Sequence, residues 1–186
     1  MINHKGTISL ETERLRLRKF TEEDAEDMYN NWASDTEVTK YLTWPAHSSI
    51  EVSKKVIDMW IDNYKDMEYY QWAIELKEIR QVIGTISLMN IDNNIENCEV
   101  GYCIGRKFWN KGITTEAFSS IINFAFNQVG FERITARHHV DNSASGRVME
   151  KCGLKYEGLL RKISRNSSGE LVDCKYYSIL KDEYLK

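Results

Sequence analysis

The sequence predicts a mixed α/β domain, and three observations support this fold class. Segments rich in β-branched and aromatic residues alternate with polar turns in the first half of the chain, and strand–loop–helix–strand units follow in the second half. The composition, 42% hydrophobic and 28% charged, is that of a folded globular protein. A length of 186 residues is typical of one domain, so we expect a single domain over residues 1–186, with about seven strands and about four helices.

The first half begins with a strand and two helices. Residues 14–18 alternate between charged and apolar side chains, which is typical of a half-buried strand. Thr21, with Asp24 three residues later, has the spacing of a helix N-terminal capping box, and apolar residues recur after it at helical spacing. Ser48 and Glu51 repeat the spacing at the start of a second helix. Further strands are predicted over residues 71–75, 82–88 and 98–104.

The second half predicts helices that alternate with strands. A long helix is expected over residues 115–128, because apolar residues repeat at helical spacing and Gly130 is a typical helix end. A strand over residues 133–140 and a short helix over residues 143–151 follow, and Gly153 stops that helix. The chain closes with two strands over residues 156–163 and 171–180, joined by a hairpin loop over residues 166–169.

Charge and cysteine content exclude several classes of protein. The 25 basic and 28 acidic side chains give a net charge of −3, which does not suit a nucleic-acid-binding surface. No segment has the length of a transmembrane helix, and the N-terminus lacks the apolar stretch of a signal peptide, so no membrane partner is expected. The four cysteines form no Cys-x-x-Cys pair and are expected to be reduced, which predicts a cytoplasmic protein. His138 and His139 would face opposite sides of a strand, so no metal site is expected.

A loop that leads into a helix is the first candidate for chemistry. Lys111 and Gly112 stand between a predicted strand and the helix over residues 115–128. The first turn of a helix has unpaired N–H groups and the positive end of the helix dipole, and glycine lets the backbone approach phosphate oxygens, so this loop could hold a diphosphate. The spacing matches neither a P-loop nor Gly-x-Gly-x-x-Gly. The alternative is a structural turn in which Thr114 or Thr115 is an ordinary N-cap.

A second junction of the same kind carries Asn142 and Ser145 at the start of the helix over residues 143–151. Together these motifs resemble the GNAT superfamily of acyl-CoA-dependent N-acetyltransferases, and within it the Rim type, the ribosomal-protein-alanine N-acetyltransferases and their relatives. The resemblance runs from about residue 10 to residue 184, and it implies a mostly antiparallel sheet with helices packed on both faces. The matching stretches are Leu10-Glu11-Thr12-Glu13-Arg14-Leu15-Arg16-Leu17-Arg18, Val100-Gly101-Tyr102, Trp109-Asn110-Lys111-Gly112, Thr115-Glu116-Ala117, Glu150-Lys151-Cys152-Gly153-Leu154 and Gly169-Glu170-Leu171-Val172-Asp173.

The resemblance implies a role for each matching stretch. Backbone amides of the loop 109–114 would hold the diphosphate of coenzyme A, and main-chain groups near Cys103 and Ile104 would run beside the pantetheine arm as an added strand does. Asn142 would bond the pantetheine and Ser145 would lie near the sulfur, although both could equally serve as a helix cap. The residues expected to bind acetyl-CoA are Cys103, Ile104, Trp109, Asn110, Lys111, Gly112, Ile113, Thr114, Thr115, Asn142 and Ser145.

Acetyl transfer requires a neutral amine, and this requirement limits the acceptor. An α-amino group of pKa ~8 is about one tenth neutral at pH 7, whereas a lysine of pKa ~10.4 is neutral less than about one time in a thousand. Glu99 is the expected base, acting through water, because strand alternation turns it the same way as Cys103; the alternative is a solvated carboxylate paired with a lysine. Ser145 is the expected acid for the leaving thiolate, with Tyr177 or Tyr176 as its substitute.

The acceptor side carries the weakest sequence signal. The loop over residues 41–45 is the preferred acceptor wall, with Tyr41, Trp44 and Glu99 as expected substrate contacts. We expect a monomeric or homodimeric enzyme that acetylates a protein N-terminal α-amine by direct attack in a ternary complex, without an acyl-cysteine. The alternatives are a small amine as acceptor (a polyamine, an amino acid or an amine antibiotic), an acyl-CoA-sensing module without turnover, and a structural partner-binding domain.

Overall fold

The computed structural model describes residues 2–184, in which one mixed sheet runs in the order β1-β2-β3-β4-β5-β6-β8-β7. Every neighbouring pair is antiparallel except β5 and β6, which are parallel. The predicted mixed, mostly antiparallel sheet is therefore confirmed, with a two-residue β1 added at one edge. The strands are β1 (Leu10–Glu11), β2 (Leu15–Arg18), β3 (Tyr70–Leu76), β4 (Gln81–Asp92), β5 (Asn97–Ile104), β6 (Arg133–His139), β7 (Lys155–Arg165) and β8 (Leu171–Leu180).

Helices begin close to the predicted positions. The capping box between Thr21 and Asp24 is present, whereas the N-cap of the second predicted helix is Ser49 and not Ser48. None of the helices described within residues 2–184 is long and apolar enough to cross a bilayer. The helices are α1 (Ala25–Met28, extended by a π-helical turn Tyr29–Ala33), α2 (Thr36–Thr39), α3 (Ile50–Asn63), α4 (Ile113–Phe124, extended by a π-helical turn Ala125–Val129), α5 (Ser143–Lys151) and α6 (Lys181–Tyr184).

Two hydrophobic clusters cover the two faces of the sheet, as the resemblance implies. Helix α4 buries its apolar stripe, with Phe118 and Ile121 fully inside, against the strands on one face. The other face packs against α1 and α3, where Trp32 and Ile57 are fully buried. Because successive residues of a strand point to opposite faces, Val100 belongs to the first cluster and Cys103 to the second.

The two parallel strands separate partway along their length. β5 and β6 pair only from Asn97 to Glu99, and Glu99 opposite Thr135 is the last matched pair. Beyond it, residues 100–104 continue to pair with β4 on their other side. The separation therefore opens a gap in the sheet between the end of β5 and the end of β6, and α4 and α5 both begin beside it.

Candidate active site

A cavity of about 430 Å³ occupies the gap between β5 and β6. Its walls come from the end of β5, the loop before α4, the start of α5, and residues near α2 such as Glu37. Of the residues expected to bind acetyl-CoA, all but Lys111 line it. These lining residues are Cys103, Ile104, Trp109, Asn110, Gly112, Ile113, Thr114, Thr115, Asn142 and Ser145.

The start of α4 presents unpaired amides to this cavity. Gly112 is the N-cap residue and lies in the left-handed region, with φ of 73°, where a side chain is strained. The first helical hydrogen bond runs from the Glu116 N–H to the Gly112 carbonyl over 3.0 Å, so the amides of residues 113–115 precede it. The helix therefore begins two residues earlier than predicted, and neither Thr114 nor Thr115 is its N-cap.

The loop before α4 is fastened to the end of β5. The Trp109 indole N–H donates to the Ile104 carbonyl over 2.9 Å, and Asn110 also lies in the left-handed region, with φ of 60°. The Lys111 ammonium lies 5.8 Å from the centre of the Phe108 ring. Lys111 itself is not among the lining residues, although its neighbours Asn110 and Gly112 and the Phe108 ring are, so its contact with the cofactor stays a prediction.

Asn142 and Ser145 form a cap at the start of α5 and also line the cavity. The Asn142 side-chain oxygen accepts from the Ser145 N–H over 3.3 Å, and its amide nitrogen donates to the Ser145 hydroxyl oxygen over 3.2 Å. The helix cap is therefore present, and the same two residues are positioned where they could also contact a ligand in the cavity. Since the Ser145 oxygen is the acceptor in that contact, the hydroxyl hydrogen can donate into the cavity.

Tyr102 is a cavity residue to which sequence reasoning assigned no role. Its hydroxyl donates to the Ser145 carbonyl over 3.0 Å and thereby ties β5 to α5 across the gap. Burial raises the pKa of Tyr102 well above its ordinary value, which keeps the phenol protonated as a donor. The signal was available in the sequence, because Tyr102 alternates with Cys98 and Val100 on the face that α4 covers.

Glu99 is buried at the apex of the gap and does not line the cavity. Its Oε1 lies 3.1 Å from Arg137 Nε, and its Oε2 accepts from the Asn90 side-chain amide over 3.0 Å. Arg137 also donates to the Tyr176 hydroxyl over 2.8 Å. Burial lowers the pKa of Arg137, but this hydrogen bond and the charge of Glu99 outweigh it and raise that pKa overall. The carboxylate is therefore paired with the half-buried Arg137 and not with a solvated lysine.

Tyr177, which was predicted as a substitute for Ser145 as the acid, lies in the core and not in the cavity. It faces the α4 side of the sheet, 5% exposed, and its hydroxyl donates to Glu150 over 3.3 Å. Burial, and then the Glu150 carboxylate, raise the pKa of Tyr177, so the phenol stays protonated in the core. The register of β8 against β6 instead places Tyr176 opposite Arg137, on the face that carries Glu99.

The predicted acceptor loop divides between the cavity and the second hydrophobic cluster. Tyr41 lines the cavity, and its ring lies 5.1 Å from that of His139 at the end of β6. Trp44 does not line it; this ring lies 5.3 Å from His47 and packs against the α1–α3 cluster, so the expected contact with substrate is corrected to a packing role. His139, for which no role was predicted, accepts the Asp141 N–H at Nδ1 over 3.1 Å.

Comparison with known proteins identifies the family. The model of the acetyltransferase (GNAT) domain matches residues 14–155. The uncharacterized N-acetyltransferase p20 of Bacillus licheniformis is 35% identical over 176 residues, which cover 95% of this chain and 98% of that protein. The ribosomal protein uS5-alanine N-acetyltransferase of Escherichia coli is 29% identical over 80 residues, covering 42% of this chain and 41% of that enzyme.

One of the solved structures that resemble this chain contains bound acetyl-CoA. The microcin C7 self-immunity acetyltransferase MccE, in complex with acetyl-CoA and AMP, superposes with a TM-score of 0.80 at 26% identity and covers 91% of this chain and 93% of that one. The fold, the family model and the near full-length relative agree. The chain therefore belongs to the GNAT family and is an acetyl-CoA-dependent N-acetyltransferase.

Proposed function

We propose that the acceptor is the α-amine of a protein N-terminus. The observation that supports this proposal is the environment of Glu99, the buried carboxylate at the apex of the gap. One of its oxygens is ion-paired with Arg137, and the other accepts a hydrogen bond from the Asn90 side-chain amide. Deprotonating an α-amine at pH 7 costs only ~1.4 kcal/mol, whereas a lysine or polyamine costs on the order of 4–5 kcal/mol. A carboxylate that is held in place and shared with Arg137 suits the smaller task.

The loop before α4 supplies the proposed binding site for the diphosphate of acetyl-CoA. The amides at the start of α4 face the cavity at the positive end of the helix, and this arrangement is a general anion site. Cys103 and Ile104 lie at the end of β5 where pairing with β6 has ceased, so the edge of β5 that faces β6 is open to an extended pantetheine arm, except at the Ile104 carbonyl, which accepts from the Trp109 indole. These contacts would place the thioester near Ser145, which lines the cavity. Glu99, which does not line it, would be reached through water.

In the proposed reaction the neutral amine attacks the thioester carbonyl. A new C–N bond forms, the C–S bond breaks, and the acetyl group passes to the amine in one ternary complex. The amine loses a proton to Glu99 through water, and the Ser145 hydroxyl, whose oxygen accepts from Asn142, gives a proton to the departing thiolate. Solvent then returns a proton to Ser145 and takes the proton from Glu99.

Direct transfer is favoured over an acyl-cysteine route. Cys103 is the cysteine that lines the cavity, and burial raises the pKa of its thiol to about 12. A nucleophilic cysteine needs a thiolate, which an opposite charge or a base would have to stabilise. The four cysteines are unpaired thiols in the structure, which suits a reducing compartment, and we place the reaction in the cytoplasm.

A thiol-release assay with a panel of amines tests the proposal. The matched acceptors are a peptide with a free N-terminus, the same peptide with an acetylated N-terminus and one internal lysine, a polyamine and free amino acids. Release of coenzyme A only with the free N-terminus supports the proposal. Faster release with a polyamine or an amino acid would identify a small amine as the acceptor. Binding of coenzyme A without release from any amine would indicate a sensor.

A further inference from the structure

A polar contact at the protein surface joins the β1–β2 turn to the first turns of α4. Glu116 Oε2 accepts from the Arg14 Nε over 2.6 Å, and Oε1 accepts from the Arg14 backbone N–H over 2.9 Å. The Thr12 hydroxyl donates to the same Oε1 over 2.6 Å. Glu116 thus receives three donors from a turn that lies about a hundred residues earlier in the chain.

Arg14 also reaches the loop that precedes α4. Its Nη1 donates to the Lys111 carbonyl over 2.9 Å. The Lys111–Gly112 peptide is planar and trans, so its carbonyl and the Gly112 N–H point in opposite directions. By holding the carbonyl on the outer side, Arg14 directs the Gly112 N–H away from itself, and Gly112 lines the cavity whereas Lys111 does not.

The charge of Glu116 makes this contact necessary for anion binding. Burial raises the pKa of Glu116, but the hydrogen bonds from Thr12 and Arg14 outweigh burial and lower it, so the group is a carboxylate at neutral pH. A carboxylate one turn inside a helix opposes an anion at the N-terminus of that helix. The Arg14 guanidinium neutralises this charge at 2.6 Å.

We propose that Arg14, held by Glu116, is a positioning residue that orients the loop before α4 and thereby sets the affinity for acetyl-CoA. Arg14 acts through the Lys111 carbonyl and the Glu116 charge, and it is not among the residues that line the cavity. The inference rests on the proposed placement of the diphosphate at this loop. It predicts an effect on donor binding and none on the chemical step.

The test compares Arg14→Ala and Glu116→Gln with the control Arg16→Ala. Arg16 lies on β2, two residues after Arg14, with similar exposure, and it pairs with Glu11 and Glu75 instead of the loop. We expect the Kd for coenzyme A by calorimetry and the KM for acetyl-CoA to rise by about tenfold in Arg14→Ala, with kcat within about twofold of wild type. The rise should be smaller in Glu116→Gln, which releases Arg14 but also removes the charge that opposes the anion. The double variant should bind no more weakly than Arg14→Ala, because without Arg14 the Glu116 carboxylate only opposes the anion.

A shortened donor separates positioning from general damage. S-acetylpantetheine carries the thioester and the arm but no diphosphate, so Arg14→Ala should use it as well as the wild-type enzyme does. Arg14→Lys keeps the charge but cannot hold Glu116 and the Lys111 carbonyl in one planar fork, and it should lose affinity for acetyl-CoA as Arg14→Ala does. Equal loss with both donors, or a fall in kcat at an unchanged KM, would overturn the proposal.

Coenzyme A binding by Gly112→Val and Arg14→Ala distinguishes a wrong role for Arg14 from a wrong location of the diphosphate. If Gly112→Val weakens coenzyme A binding and Arg14→Ala does not, the loop binds the diphosphate but Arg14 does not position it. If neither variant changes binding while both remain folded by circular dichroism, the diphosphate lies elsewhere and both proposals fall.

Discussion

The Arg137 Nε atom on β6 lies 3.1 Å from Oε1 of Glu99 on β5, and this ion pair bridges the two strands at the point where they separate. The Asn90 side-chain amide donates to Oε2. The carboxylate is therefore fixed beside the gap, in a position from which it can accept a proton through a water molecule.

We expect Glu99→Gln to lower kcat by about tenfold to a hundredfold at neutral pH, with coenzyme A affinity near that of wild type. The amide keeps the shape of the side chain but cannot accept the proton. The loss should shrink as pH rises toward the pKa of the amine, because the acceptor then arrives neutral.

The measurement is the pH–rate profile of Glu99→Gln beside that of Glu157→Gln. Glu157 also pairs with an arginine of β6, Arg133, but it comes from the edge strand β7 and lies away from the cavity. A profile for Glu99→Gln that is identical in shape and height to wild type would remove Glu99 from the reaction.

Patterns local in the sequence predicted most of the fold. Period-two alternation gave the strands, and it also turned Glu99 and Cys103 away from the face that α4 covers. Local patterns could not decide between Tyr176 and Tyr177 as the substitute acid, because pairing with a distant strand determines which of them faces Glu99. Tyr177 and Tyr176 are neighbours on one strand, and only the register of β8 against β6 sends Tyr176 to Arg137.

Contacts between distant segments of the chain could not be predicted from the sequence for the same reason. The loop that holds Tyr41 has no period, so nothing local shows that Trp44 packs against the α1–α3 cluster while Tyr41 lines the cavity. The bond between Arg14 and Glu116 joins segments that meet only when α4 lies across the sheet. Site residues carried by a motif were therefore placed together, and those that depend on tertiary packing were not.

The second prediction concerns the proton donor to the thiolate. Ser145→Ala should lower kcat by about tenfold or more, because the hydroxyl at the cavity is lost while the Ser145 carbonyl still accepts from Tyr102. Tyr177→Phe should leave kcat within about twofold of wild type, since this hydroxyl meets Glu150 in the core. Steady-state kinetics with saturating acetyl-CoA measures both, and the opposite ranking would restore Tyr177 as the acid.

The third prediction tests the left-handed glycine before α4. Gly112→Val should abolish measurable coenzyme A binding in a folded protein, because a β-branched residue at φ of 73° is strained by about 1–2 kcal/mol and would turn the peptide that carries the amide. Gly158→Ala is the control, since a Cβ there meets nothing within 4 Å. Calorimetry reports binding, and circular dichroism reports folding. Tight binding by folded Gly112→Val would refute the assignment of this loop.

The fourth prediction is a loss of stability in acid that involves His138. Burial lowers the pKa of His138 below its ordinary value of 6.5, so the unfolded chain takes up the proton first as pH falls. The stability is therefore fully present above about pH 6.5 and declines below it. Urea unfolding at about pH 8 and about pH 5.5 should show a smaller decline in His138→Asn than in wild type. His47, whose pKa burial also lowers, contributes in the same direction and is unchanged in the variant.

The fifth prediction concerns the packing of α5 on β6 beneath the cavity. A Cβ on Gly146 would lie 2.8 Å from Nε2 of His138, and that ring is held by a 2.7 Å hydrogen bond from Nδ1 to the His139 carbonyl. Helix propensity alone would make Gly146→Ala stabilising by about 1 kcal/mol, but overpacking against a fixed ring costs typically about 1–3 kcal/mol. We therefore expect the free energy of unfolding to fall and kcat to fall with it, because Ser145 precedes the displaced residue.

A double-mutant cycle with His138→Ala decides whether the clash is the cause. Removing the ring leaves room for the added methyl group, so Gly146→Ala should stabilise the His138→Ala background while it destabilises wild type. This change of sign follows from the contact between the two residues and from nothing else in α5. Equal effects of Gly146→Ala in the two backgrounds, measured by urea unfolding at about pH 8, would show that α5 moves freely on β6 and that the fixed cap at Ser145 is not a consequence of this packing.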